Sequence, residues 1–126
     1  LRKVVCDNVE DFNALDELLA YRIEHELADV VIRSQMSDAR TFIEVPLLYE
    51  ANLGWMFDSI AFVYAEKSIQ LQRLIERGLS THESEVMMER QDPPYLKAIM
   101  ADHTILNIGT RVDLEESVRQ LLLYIE

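Results

Sequence analysis

Three short apolar runs constrain this chain more than anything else in it: residues 42–49 (Phe-Ile-Glu-Val-Pro-Leu-Leu-Tyr), 59–65 (Ser-Ile-Ala-Phe-Val-Tyr-Ala) and 103–108 (His-Thr-Ile-Leu-Asn-Ile). Each has the length of a strand, and apolar residues follow one another with little polar alternation, the pattern of a strand covered on both faces. The remaining sequence is largely helical in period. Strands set among helices predict an α/β domain with a parallel sheet. Pro46 interrupts the first run and is expected at that strand's end, where a missing N–H costs only one bond.

The helical segments carry their own punctuation. Phe12, Leu15, Leu18, Leu19, Ile23, Leu27 and Val30 recur at i, i+3, i+4 spacing behind an Asn8–Asp11 pair, which predicts a capped amphipathic helix over about 8–33. Residues 34–40 are polar and break that period. Ile69, Leu71, Leu74 and Ile75 mark a helix over 67–77 that Gly78 stops. Ser80 and Glu83 have capping-box spacing and open another helix, which Pro93-Pro94 is expected to end. A short helix over about 95–101 leads into the third run. Asp113-Leu-Glu-Glu116 is expected to cap a last helix carrying Val118, Leu121, Leu122 and Ile125.

At 126 residues, 49% hydrophobic and 28% charged, the chain fits one globular domain. Twelve Lys and Arg against 23 Asp and Glu give a formal charge of −11, which repels a phosphate backbone and argues against nucleic acid as a partner. An anionic ligand must therefore be met by local cations. The single Cys6 cannot form an internal disulfide; a structural thiol in a reducing compartment is expected. No apolar run approaches the ~20 residues that span a bilayer and no signal-peptide pattern opens the sequence, so the expectation is a soluble cytoplasmic protein. Leu1 falls directly into a helical pattern, and a longer parent polypeptide is expected.

His25-Glu26 and His82-Glu83 each supply half of a zinc motif, but no second His follows at the fourth position, and no metal ligands are assigned. His103 reads as a strand-end residue, and Ser80 and Thr81 as cap residues without a catalytic context. Arg73 and Arg77 lie four apart and share a helix face, so both can reach one phosphate from the same side. From spacing alone, solvated ion pairs with Glu66, Glu76 or other surface acids are the favoured reading.

Four motifs, in order and spacing, resemble dephospho-CoA kinase over essentially all 126 residues: Val45-Pro-Leu-Leu-Tyr-Glu50, Gln70-Leu-Gln-Arg73-Leu-Ile-Glu-Arg77, Gln91, and Ala101-Asp102 followed by Ile105-x-Asn107-x-Gly109. Residues 1–19 are similar to the helical region that covers the acceptor in that family. Departures are Ala20-Tyr21 where a His-Pro pair is usual, Glu44 in place of Asp, Met87 in place of Arg, and a lid one residue short. The resemblance implies a P-loop kinase-like three-layer α/β fold with a parallel sheet. Its expected parts are acceptor-covering helices in 1–40, core strands in 41–66, a lid in 67–94 and the C-terminal core in 95–126. It also implies transfer of the γ-phosphate of ATP to the 3′-hydroxyl of dephospho-CoA, with Mg²⁺ accompanying ATP.

The same resemblance assigns roles residue by residue. Arg77 is the catalytic lid arginine; Arg73, Asn107 and Gly109 border ATP; Glu44, Pro46, Leu47, Leu48 and Glu50 meet the acceptor. Glu44 and Glu50 have a plainer alternative as helix-capping carboxylates. Met87-Met88 and Trp55-Met56-Phe57 are packing residues or the lining of a pantetheine channel. No Gly-x-x-x-x-Gly-Lys-Ser/Thr loop occurs in these residues. The central strand that feeds such a loop is expected to be absent from this chain, leaving sheet edges whose buried unpaired groups cost about 1–3 kcal/mol each, and the 126 residues alone are expected to be inactive. The rival reading is a non-catalytic CoA- or nucleotide-binding relative.

Overall fold

The computed structural model describes residues 9–125, with side chains from residue 19 onward. Cys6 and Asn8 lie outside the described residues, as do the side chains of Asp11, Phe12, Leu15 and Leu18. The chain divides into two compact units, one up to Asp58 and one from Ser59.

The first unit is led by α1 (Val9–Gln35), the long helix that the apolar period predicts. Leu27 is buried on it, with Val30 and Val31 half-buried one turn further on. Its end is marked by Ser34, whose hydroxyl donates back to the Val31 carbonyl at 2.7 Å. Ser and Thr make such local bonds in competition with the helix.

The strand expected over 42–49 does not form. Residues 40–45 are irregular, and 46–52 turn back on themselves. Asn52 N–H donates to the Tyr49 carbonyl at 2.9 Å and Leu53 N–H to the Leu48 carbonyl at 2.9 Å, with Asn52 in the left-handed region at φ 54°. That pair of bonds is the Schellman closure, and Leu53, the residue after the left-handed one, is buried as the motif prefers. The physical reason for the difference is that a short, largely apolar run is equally the mark of a partly buried helical turn. Leu47 and Leu48 satisfy their carbonyls locally instead of in a ladder.

The second unit is built on β1 (Ala61–Tyr64) and β2 (His103–Leu106), which pair in parallel with Ala61 opposite His103 and Tyr64 opposite Leu106. Between them run α2 (Lys67–Glu76), α3 (Thr81–Glu89) and α4 (Pro94–Met100), and α5 (Arg111–Tyr124) follows β2. This is the α/β parallel arrangement expected from the second and third runs. Side-chain alternation puts Val63 and Ile105 on one face and Phe62, Tyr64 and Leu106 on the other. α5 lies against β2, with the Tyr124 ring edge-on to His103 at 5.5 Å; α4 lies against β1, and Ile105 of β2 is buried. Val63 and Leu106 each remain about half exposed, so neither face is fully covered among the described residues.

Register is fixed at the start of the strands by Asp102. Its carboxylate accepts the Ile60 N–H at 2.8 Å, while His103 N–H donates to the Ile60 carbonyl at 3.1 Å. Two boundaries differ from expectation. The proline pair does not end α3, which stops at Glu89; Pro93 is the N-cap and Pro94 the first residue of α4, where a missing N–H goes unnoticed. Thr110, not Asp113, is the N-cap of α5; Asp113 completes the capping box from the third helical position.

Candidate functional site

Because β1 and β2 are parallel, their C-terminal ends lie side by side, and ligands of open α/β sheets bind at such ends. The Asn107 N–H closes this end of the ladder by donating to the Tyr64 carbonyl at 2.7 Å. α2 leaves directly from it, and two of its side chains reach back. Gln70 Nε2 donates to the Ala65 carbonyl at 2.7 Å, and Arg73 donates from a terminal guanidinium nitrogen to the Asn107 carbonyl at 3.0 Å. One helix is thus clamped to the ends of both strands.

The far end of α2 is shaped by a second Schellman closure. Gly78 takes φ 89°, its N–H donates to the Ile75 carbonyl at 2.9 Å, and Leu79 N–H donates to the Leu74 carbonyl at 3.2 Å. Leu79 is buried. Ser80 then caps α3 in the expected box: its hydroxyl accepts the Glu83 N–H at 3.2 Å and the Glu83 carboxylate accepts the Ser80 N–H at 2.8 Å. With one residue, Gly78, reversing the chain and the next closing the turn, α2 and α3 are held against each other.

A groove of about 180 Å³ opens between them. Leu74, Met87 and Met88 provide its apolar lining, and Gln70, Arg73, Arg77 and Gln91 its polar groups. Arg77 stands at the C-cap of α2 with its side chain exposed, while Arg73 is half-buried. The volume is below the ~300–1,000 Å³ of clefts that enclose whole small molecules, so it suits one or two phosphate groups better than a complete nucleotide. Two guanidinium groups at one small groove give an otherwise acidic chain the local cations that an anion requires.

The structure therefore brings Arg73 and Arg77 together and joins Arg73 to Asn107. It places Met87 and Met88 beside the arginines. Gly109 serves a different local purpose, since a Cβ there would stand 2.6 Å from Asp113 Oδ2; the glycine leaves room for the cap of α5. Glu44, Pro46, Leu47, Leu48 and Glu50 belong to the first unit; Glu44 and Pro46 are exposed, and Leu47, Leu48 and Glu50 half-buried. Trp55, in the 3-10 turn Gly54–Met56, is exposed. Tyr21 stands on α1 with its ring 6.4 Å from that of His25.

Sequence reasoning passes over Lys97. It is only 5% exposed on α4, and its ammonium donates to Gln91 Oε1 at 3.3 Å. Its spacing within the apolar positions of a seven-residue helix offers little signal, since lysines on short helices are usually solvated. The described residues do not form a metal cage: no three His, Cys, Asp or Glu side chains converge among them. Mg²⁺ commonly binds through substrate phosphates with one or two carboxylates. Among the described residues no helix is long and apolar enough to cross a membrane.

A parallel α/β unit with helices packed on its two strands, and with Arg73 and Arg77 of α2 at a groove, is consistent with a P-loop kinase-like fold. The family model for dephospho-CoA kinase (CoaE) matches residues 1–113, and the chain belongs to that family. A dephospho-CoA kinase of Staphylococcus saprophyticus is 33% identical over 129 aligned residues, covering 98% of this chain and 62% of the relative. One from Protochlamydia amoebophila is 45% identical over 82 residues, 62% of this chain and 39% of the relative. One from Enterococcus faecalis is 31% identical over 109 residues, 86% of this chain and 55% of the relative. The chain spans about 39 to 62% of the length of these curated relatives.

Proposed function

We propose that the whole protein is a dephospho-CoA kinase and that the α2–α3 groove grips the phosphates during transfer. The observation that carries this is the pair Arg73 and Arg77 at one groove, with Arg73 bonded to the Asn107 carbonyl at the end of a strand, in a chain of that family. In the reaction the 3′-hydroxyl oxygen of dephospho-CoA bonds to the γ-phosphorus of ATP, the bond to the β–γ bridging oxygen breaks, ADP leaves and the hydroxyl proton is released. Such transfer asks the protein for positioning and for positive charge on the equatorial oxygens.

Arg77 is the catalytic arginine in this reading, being the more exposed of the two and able to follow the negative charge that spreads over the transferring group. Arg73 orients: with one nitrogen committed to Asn107, it presents the rest of its donors from a fixed position beside ATP. Asn107 and Gly109 form the loop that borders the adenine. Glu44, Pro46, Leu47, Leu48 and Glu50 meet the acceptor. Mg²⁺ accompanies ATP as its phosphate counter-ion. The glycine-rich phosphate loop that the chemistry requires is not among these residues, so the proposal concerns the whole polypeptide.

The rival reading, a CoA- or nucleotide-binding relative without turnover, draws on Met87 lining the groove where the family commonly has an arginine. One assay decides between them: ATP-dependent conversion of dephospho-CoA to CoA by the full-length gene product, followed by product mass. Turnover supports the kinase. Tight binding of dephospho-CoA with no product supports the rival.

A further inference from the structure

We propose that Lys97 is a positioning residue, which fixes the side-chain amide of Gln91 so that it donates to a phosphate in the α2–α3 groove. The inference rests on the kinase reading above. Lysine is almost never as buried as 5% exposure unless its ammonium is engaged, and one engagement here is the 3.3 Å bond to Gln91 Oε1. An ammonium can only donate. The oxygen end of the Gln91 amide must therefore face Lys97, and the amide is not free to flip.

Gln91 also lines the groove that holds Arg73 and Arg77. With its oxygen spent on Lys97, the polar group it can offer a groove ligand is the Nε2 pair of hydrogens. The lysine thus settles the sign of Gln91: a donor, matched to phosphate oxygens, in place of an acceptor that would repel them. Gln70 is oriented the other way, because its Nε2 is used by the Ala65 carbonyl and its Oε1 remains. The groove accordingly has a donor side, made by Arg77 and Gln91, and a single amide acceptor at the strand ends. Lys97 sits on α4, immediately before β2, so the position of this donor is referred to the same sheet that positions Arg73 through Asn107.

The shared chemistry is a polyphosphate, which ATP and the diphosphate of the acceptor both carry. The deciding variant is Gln91→Glu in the full-length protein. A glutamate keeps the size of the side chain and strengthens its pairing with Lys97, so for a purely structural Gln91 the change would leave turnover as it was and stability no lower. A donor to phosphate, by contrast, becomes a negative acceptor. The expected result is a Tm no lower than that of wild type with kcat/KM reduced by about 10- to 100-fold, the range set by losing one hydrogen bond to a charged group. A rise in KM for ATP assigns the contact to the donor nucleotide, and a rise in KM for dephospho-CoA assigns it to the acceptor. Lys97→Met should move the same parameter in the same direction, less steeply.

Gln91→Glu turnover within about twofold of an active wild type overturns the inference and leaves the kinase reading standing. An inactive wild type overturns the kinase reading instead. Calorimetric binding of inorganic tripolyphosphate then decides the inference by itself: weaker binding by Gln91→Glu supports it, and equal binding ends it.

Discussion

Arg73 donates to the backbone carbonyl of Asn107 at 3.0 Å across a sequence separation of 34 residues, and so ties the helix that borders the groove to the end of the second strand. A guanidinium is suited to this because its planar fork can spend one nitrogen on a carbonyl and keep others for a ligand. The same residue is therefore both structural and placed for function. Arg73→Ala should lower stability by about 1.5–2 kcal/mol, the lower part of the range for a charged donor since the residue is only half-buried. The check is a thermal melt of the full-length protein, where a fall of several degrees in Tm is expected. Arg73→Lys should recover little of it, because a flexible ammonium cannot hold the carbonyl and the groove at once. Full stability in the lysine variant would show that charge alone suffices.

Arg77 should behave in the opposite way. It is exposed, stands at the C-cap of α2, and contributes to that cap through its backbone N–H, which any residue but proline supplies. Arg77→Ala is expected to leave the melting temperature nearly unchanged and to lower kcat by about 100-fold, the scale of one preorganised charge on a transferring group. Steady-state kinetics with both substrates checks this. Unchanged kcat with weaker ATP binding would make Arg77 a ground-state ligand.

What the sequence makes legible here follows from which signals are local. The β1 and β2 runs, the long helix and the Ser80–Glu83 box are written in neighbouring residues, and each is found within a few positions of its expected limits. Residues 42–49 mislead because a short, largely apolar run is ambiguous until something decides whether its carbonyls meet a neighbour strand or its own chain; the turn that closes at the left-handed Asn52 decides it. Thr110 is hidden behind Asp113 because both are capping residues and only the backbone shows which precedes the first turn. Arg73 and Arg77 can be placed on one face from their spacing alone. The Arg73–Asn107 and Lys97–Gln91 bonds cannot, since they depend on how α2 and α4 sit against strands and neighbours distant in sequence.

Two glycines near the site should resist alanine for different reasons. Gly78 has nothing within 4 Å of an added Cβ, but its φ of 89° is a conformation that L-residues avoid. Gly78→Ala should cost about 1 kcal/mol through backbone strain, with no rearrangement of its neighbours. Gly109 carries no such strain, yet its added Cβ would press on Asp113 Oδ2 at 2.6 Å. Gly109→Ala should therefore act by displacing the α5 cap, and the double variant Gly109→Ala, Asp113→Ala should show a smaller cost of the glycine change than the single variant does. Denaturation midpoints of wild type, the two single variants and the double variant measure this; strict additivity would separate Gly109 from the cap.

Asp113 gives the cap of α5 a pH signature. Thr110 Oγ1 and Thr110 N–H both donate to Asp113 Oδ2, each at 2.7 Å, while Thr110 Oγ1 accepts the Asp113 N–H at 3.3 Å. These bonds, the hydroxyl's first and the backbone's second, hold the carboxyl below its usual range. A folded-state pKa lower than the unfolded one means that the carboxylate favours the folded form at every pH above the unfolded value, and that this contribution fades as pH falls through the folded value. The cap should accordingly stay intact at neutral and mildly acidic pH and loosen only below the ordinary aspartate range of about 4. Carboxyl-carbon NMR titration of Asp113 reads the midpoint directly. Thr110→Val removes the larger of the two bonds and should move the midpoint upward, toward that of a free aspartate. If wild type and Thr110→Val titrate together, the hydroxyl is not what stabilises the charge, and the capping box would have to be credited to the backbone N–H alone.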